Sequence, residues 1–90
     1  MRELLVDSRR IADEQGRIRI YDYLILVGER DTGTFFCESY GVKIVERGSM
    51  NLSVVPDVTT QIARIDELMG LLVRNEVLPG HLLDVITDWL

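Results

Sequence analysis

The hydrophobic period of this chain changes once, near Pro56, and that change limits the folds open to it. Before Pro56, apolar residues come in short runs and alternations broken by Gly-containing turns. After it, two stretches repeat their apolar residues every three to four positions. A two-residue period belongs to strands and a 3.6-residue period to helices. Strands followed by helices predict an α+β domain, a four-stranded antiparallel meander with two C-terminal helices on one face.

The expected strands lie near 3–12, 17–29, 34–47 and 50–55. Asp13-Glu14-Gln15-Gly16, Glu29-Arg30-Asp31-Thr32-Gly33-Thr34 and Arg47-Gly48-Ser49 supply the turns between them. In the second strand Tyr21, Tyr23, Ile25 and Val27 share one parity, while Leu24 and Leu26 share the other. Apolar residues on both parities predict a central strand with partial cover on its second face. In the third strand Phe36, Tyr40, Val42 and Ile44 share a face, and Gly41 marks a bulge or a close backbone approach. Pro56 lacks the N–H a central ladder needs, so the fourth strand is expected to stop there or to lie at an edge.

Helices are expected over 59–75 and 79–90. Asp57, Thr59 and Thr60 are competent N-caps, and Asn75 suits a left-handed C-terminal cap. Ile62, Ile65, Met69, Leu72 and Val73 form the first buried stripe, with Leu68 at its border and Arg64, Glu67 and Arg74 opposite. Pro79 fits the first position of the second helix, whose buried face is Leu82, Val85, Ile86 and Trp89. Ninety residues with no repeat and no linker predict one domain, 1–90.

Tyr21-Asp22-Tyr23, Tyr40-Gly41-Val42-Lys43-Ile44 and Asn75-Glu76-Val77-Leu78-Pro79, with His81-Leu82 and Asp84-Val85, carry a resemblance. The pattern resembles an uncharacterised family of short Firmicutes proteins over roughly residues 2–90. That family shows a Y-x-Y strand, a Y-G-I/V strand and a terminal N-x-V-x-P-x-H-L-x-D-V-V-x-D-W segment. The resemblance implies a bacterial origin and supplies no mechanism.

Charge and cysteine count narrow the function classes. The net charge of −5 disfavours nucleic acid, which needs a surplus of Lys and Arg. Residues 1–48 carry 8 basic and 9 acidic side chains, whereas residues 49–90 carry 2 and 6. An acidic helical half favours basic partners over phosphates and anionic membranes. A single Cys37 makes no intrachain disulfide, and the N-terminus lacks a signal-peptide pattern. The expected setting is a reducing cytoplasm.

His81, Asp84 and Asp88 fall within an arc of roughly 60° on a helix. One imidazole and two carboxylates on a stripe are a candidate divalent-metal or ligand site. They also lie where an amphipathic helix puts its polar residues. Arg9, Arg10, Arg17 and Arg19 could bind anions, yet Asp7, Asp13, Glu14 and Asp22 stand close enough to pair with them. Tyr21, Tyr23, Tyr40, Phe35 and Phe36 lack the interleaved basic residues of an RNA-binding sheet. No cofactor and no catalytic residue is expected. The preferred reading is an acidic protein-interaction module, expected to form a homodimer, with Trp89 and Leu90 as candidate contact residues and Trp89 buried against the sheet. The alternative is small-ligand or metal binding by the His81, Asp84 and Asp88 face.

Overall fold

The computed structural model describes residues 1–31 and 33–90. Four strands, β1 (Arg2–Ala12), β2 (Ile18–Asp31), β3 (Phe36–Glu46) and β4 (Leu52–Thr59), are followed by α1 (Ile62–Arg74) and α2 (Leu82–Trp89). The strands form one antiparallel sheet in the order β1-β2-β3-β4. The expected α+β meander is therefore the fold. Thr32, expected in the second turn, lies outside the described residues. Beside it Asp31 Oδ1 accepts the Gly33 N–H at 2.8 Å.

The odd-numbered residues of β2 face the helices. Tyr21, Tyr23 and Val27 join Tyr40, Val42 and Ile44 of β3 in one core with Ile65, Leu68, Met69, Leu72 and Val73 of α1. Val77, Leu82 and Ile86 complete it. Leu68, expected at the border of the α1 stripe, is fully buried, and Ile62 at the first helical position is exposed.

Element lengths explain where the cover stops. Fourteen residues of β2 extend about 46 Å, while the 13 residues of α1 rise about 20 Å. The sheet outruns its helices, in line with extents of 53 × 25 × 18 Å. Phe36 keeps the parity expected of it, pairing with Asp31, but lies beyond the cover and is 71% exposed.

β4 does not end at Pro56. It runs to Thr59 through an irregularity in which Val42 pairs Val55 and Tyr40 pairs Thr59. Three residues of β4, Pro56 to Val58, thus stand opposite Gly41 alone, and Asp57 adopts φ +54°. A proline is accommodated in a strand where the ladder is already broken. A Cβ on residue 41 would lie 2.5 Å from the Val55 oxygen and 2.7 Å from the Pro56 Cα. The close approach expected at Gly41 is this one.

The caps differ from expectation. Gln61 occupies the α1 N-cap with no side-chain bond, while Thr59 Oγ1 accepts the Gln61 N–H at 3.1 Å. Asn75 has φ −90°, and the left-handed position falls to Glu76 at φ +49°. The Val77 N–H donates to the Leu72 carbonyl at 3.0 Å and the Glu76 N–H to that of Val73 at 3.1 Å. This pair of bonds is a Schellman motif, with Glu76 where glycine is usual. Asn75 assists through its side chain, whose Nδ2 donates to the Leu71 carbonyl at 2.8 Å. The motif turns Val77 inward. There its carbonyl accepts the Tyr23 hydroxyl at 2.9 Å, tying the interhelical link to the sheet. Pro79 then opens a 3-10 turn, Pro79–His81, rather than the second α-helix itself.

Candidate interaction surface

Because both helices pack on the odd face of β2, the even face carries no secondary structure above it among the described residues. Register places Leu5 of β1 beside Leu24 of β2, Arg10 beside Ile20 and Ala12 beside Ile18. On the other side of β2, Lys43 of β3 stands beside Leu24 and Val45 beside Asp22. Val54 and Leu52 of β4 pair with Lys43 and Val45. Leu5 is 61% exposed, Ile18 53%, Leu52 46% and Val54 44%, and Ile20, Leu24 and Val45 are partly buried. These residues make an apolar field on one side of the sheet.

Two polar straps cross that field. Lys43 Nζ donates to Glu3 Oε2 at 3.0 Å and to Oε1 at 3.3 Å. Glu3 pairs in register with Leu26, so this bond spans from β3 to β1 across β2. Leu26 is 2% exposed although it projects away from the helices and lies outside the main core. The aliphatic stem of a lysine covers apolar surface while its ammonium seeks a partner, which is the geometry seen here. The second strap starts at Arg47, just beyond β3. Its Nη2 and Nε donate to Asp22 at 2.7 and 3.3 Å, and Nη2 also reaches Ser8 Oγ at 3.3 Å. The Ser8 hydroxyl donates to Asp22 Oδ1 at 2.6 Å. The Arg47 guanidinium, then the Ser8 hydroxyl, hold the Asp22 carboxyl below its usual range, and Asp22 raises Arg47 in turn.

The residues singled out in the sequence fall elsewhere. His81 ends the 3-10 turn, Asp84 and Asp88 lie on α2, and all three are exposed. Among the described residues no group of three His, Cys, Asp or Glu side chains could hold a metal ion. Trp89 is not buried as expected: it is partly covered, packs against the margin of the core, and takes the Arg64 guanidinium 4.0 Å from its ring centroid. The short α2 ends there, so the indole overhangs the core. Leu90 is exposed beyond it. The arginines of the first hairpin find their expected acids, Arg19 with Asp13 at 3.4 Å and Arg9 with Asp7 at 3.9 Å. Tyr21 and Tyr40 line the core face, their hydroxyls directed to Glu46 at 3.1 Å and Glu38 at 3.5 Å. A hollow of about 410 Å³ lies among Met1, Arg2, Val27, Gly28, Glu29 and Glu38, and Arg2 and Glu38 are paired across it at 3.2 Å.

The even parity of Leu24 and Leu26 signals the partial cover expected on the second face of β2 and a further covering surface there. Within the chain, two side-chain straps supply cover on that face.

Together these features define a small α+β domain: a one-sided antiparallel meander, helices on one face, apolar residues and ion-pair straps on the other. The chain belongs to the Family of unknown function (DUF6514), whose model matches residues 2–90. No curated protein and no solved structure matches it. Among the described residues no helix is long and apolar enough to cross a membrane.

Proposed function

We propose that this chain is a non-catalytic interaction module, one domain over residues 1–90 of a bacterial cytoplasmic protein, that works by contacting another protein or itself. The observation that carries this reading is the apolar field on the helix-free face of the sheet, centred on Leu5, Leu24, Leu52 and Val54. Exposed single apolar residues are ordinary, but apolar residues gathered on one helix-free sheet face, with ion pairs crossing among them, suit a contact surface. The net charge of −5 supports a protein partner over nucleic acid or an anionic membrane. The reducing setting is supported by the single cysteine, Cys37. The end of α2, with Trp89 half covered and Leu83 and Leu90 exposed, is a second and smaller contact region.

Cross-linking in cells of the source, with the tagged full chain as bait, tests this reading. The expected result is a discrete cross-linked species, containing the chain itself or a second protein, that weakens when Leu5 and Val54 become Asp. The reading falls if no such species forms and divalent ions raise the melting temperature of the wild type but not of His81→Ala. That outcome would favour metal binding by His81, Asp84 and Asp88.

A further inference from the structure

We propose that β1 pairs antiparallel and edge to edge with β1 of a second copy, about a two-fold axis at the Val6–Asp7 peptide. The proposal rests on the interaction-module reading and assigns it a partner and an edge. Hydrogen-bond direction, the bulge in β1 and one unpaired arginine carry it.

The ladder fixes which groups of β1 are free. The Arg47 N–H donates to the Ile20 carbonyl at 2.7 Å, so even-numbered residues of β2 turn their backbone groups toward β3. Its odd-numbered residues turn theirs the other way, and the Asp13 N–H accordingly donates to the Arg17 carbonyl at 2.8 Å. Register then engages Arg2, Leu4, Asp7, Arg9 and Ile11 with β2. Glu3, Leu5, Ser8 and Arg10 turn their backbone groups outward, where no strand stands among the described residues. The Ser8 N–H rests meanwhile on Asp7 Oδ1 at 2.8 Å, an exposed bond that a partner's carbonyl replaces. The opposite edge of the sheet is blunted, because β4 is 8 residues long and kinks at Pro56. β1 runs 11 residues without proline, and Leu4, Leu5 and Val6 are exposed along it.

The bulge selects the occupant. Leu5 pairs with Leu24 and Asp7 with Tyr23, so Val6 is the extra residue. Outward-turned residues alternate along a regular strand, whereas here Val6 and Asp7 both separate Leu5 from Ser8. A regular strand laid along this edge falls out of step at Val6. A second β1 running the opposite way carries the same long step. Leu5 of one copy then meets Ser8 of the other, and the strands stay in register on both sides of the axis. The same register sets Glu3 of one copy opposite Arg10 of the other, twice, on the helix-free side. Arg10 is exposed and makes no ion pair in its own chain among the described residues. Opposite charges placed directly across an antiparallel pair are favourable. Asp7 comes near its own copy at the axis, with Arg9 3.9 Å away to offset its charge. Helices of both copies lie on one side of the joined sheet, and the two helix-free faces become one surface.

Sedimentation equilibrium of the full chain between about 10 and about 200 μM tests the proposal. The wild-type mass is expected to rise from 10.3 kDa toward twice that value. Leu5→Pro removes an outward N–H and no bond to β2, and is expected to weaken the dimer about tenfold or more with an unchanged circular dichroism spectrum. Arg10→Glu and Glu3→Arg, which serve also if the proline variant fails to fold, should each weaken it about threefold or more. The double variant Glu3→Arg/Arg10→Glu should restore it to within about twofold of the wild type. Val54→Asp, on the helix-free face but away from β1, is expected to leave the dimer intact. A wild type that stays at 10.3 kDa overturns the proposal, as does a double variant as weak as the single ones. A dimer weakened by Val54→Asp and untouched by Leu5→Pro or Arg10→Glu overturns it too. A monomeric wild type that still forms a cross-linked species with another protein in cells would overturn this proposal alone and leave the interaction-module reading standing.

Discussion

Tyr23 has no exposed surface, and its hydroxyl donates to the Val77 carbonyl in the middle of the core. Burial first, and Glu76 nearby second, push its hydroxyl up to about 12. The neutral phenol is therefore favoured in the folded chain. Stability from this group is complete below pH 10 and falls as pH rises from about 10 to 12, because the unfolded chain loses the proton first. The loss over that window is about 2 to 3 kcal/mol. Tyr23→Phe is expected to lower stability by about 1 to 2 kcal/mol at neutral pH, since it leaves the Val77 carbonyl buried without a donor. Urea denaturation at pH 7 and pH 11 measures both effects, and the two proteins should differ less at pH 11. The sequence placed Tyr23 on the core face through its alternation with Ile25 and Val27. It gave no sign of the hydroxyl's partner, because a backbone carbonyl 54 residues away has no side-chain signature.

At the scale of elements, the end of α1 and the kink of β4 hold the layers in place. Glu76 takes a left-handed conformation that costs any residue but glycine about 1 kcal/mol. Glu76→Gly is expected to raise stability by about 0.5 to 1 kcal/mol, read as a higher melting temperature. Asn75 looked the better candidate for that position, since asparagine tolerates positive φ more readily. The Schellman geometry placed it one residue later, where Val77 can reach the core. At β4, Gly41→Ala would press a methyl group against the Val55 and Pro56 backbone and is expected to destabilise by about 2 kcal/mol or more. Equilibrium denaturation checks this, and a neutral result would mean that β4 can move away freely. Strand count, order and helix positions were legible from hydrophobic period alone. The continuation of β4 past Pro56 was not, because proline signals a broken ladder without saying whether the strand stops or bulges.

Across the whole molecule, a sheet of long strands carries helices on one side only. That mismatch exposes the distal hairpin and leaves the even face of β2 to Lys43, Arg47 and their acids. Asp22, held below the usual carboxylate range by Arg47, contributes stability that is present above about pH 4 and lost as pH falls through its lowered value. Arg47→Ala should therefore flatten the acid limb of the stability profile below pH 4, as followed by melting temperature against pH. Trp89→Ala, which removes a partly covered indole and its stacked Arg64, is expected to cost about 2 kcal/mol. An unchanged melting temperature would make Trp89 a contact residue rather than an anchor. The candidate surface was less legible than the fold. Trp89 and Leu90 attract notice as large terminal apolar residues, whereas the open face is assembled from single residues of four strands that only register brings together.

The central claim is that the helix-free face of the sheet is a contact surface, and a second copy of the chain is the first partner to test there. An amide and methyl NMR dilution series, from about 500 to 10 μM, tests it most directly. The account predicts concentration-dependent shifts at Leu5, Ile20 and Leu24, on the β1 side of that face, with α1 and α2 unmoved. Shifts confined to Leu83, Trp89 and Leu90, or a spectrum that does not change with concentration, would contradict it.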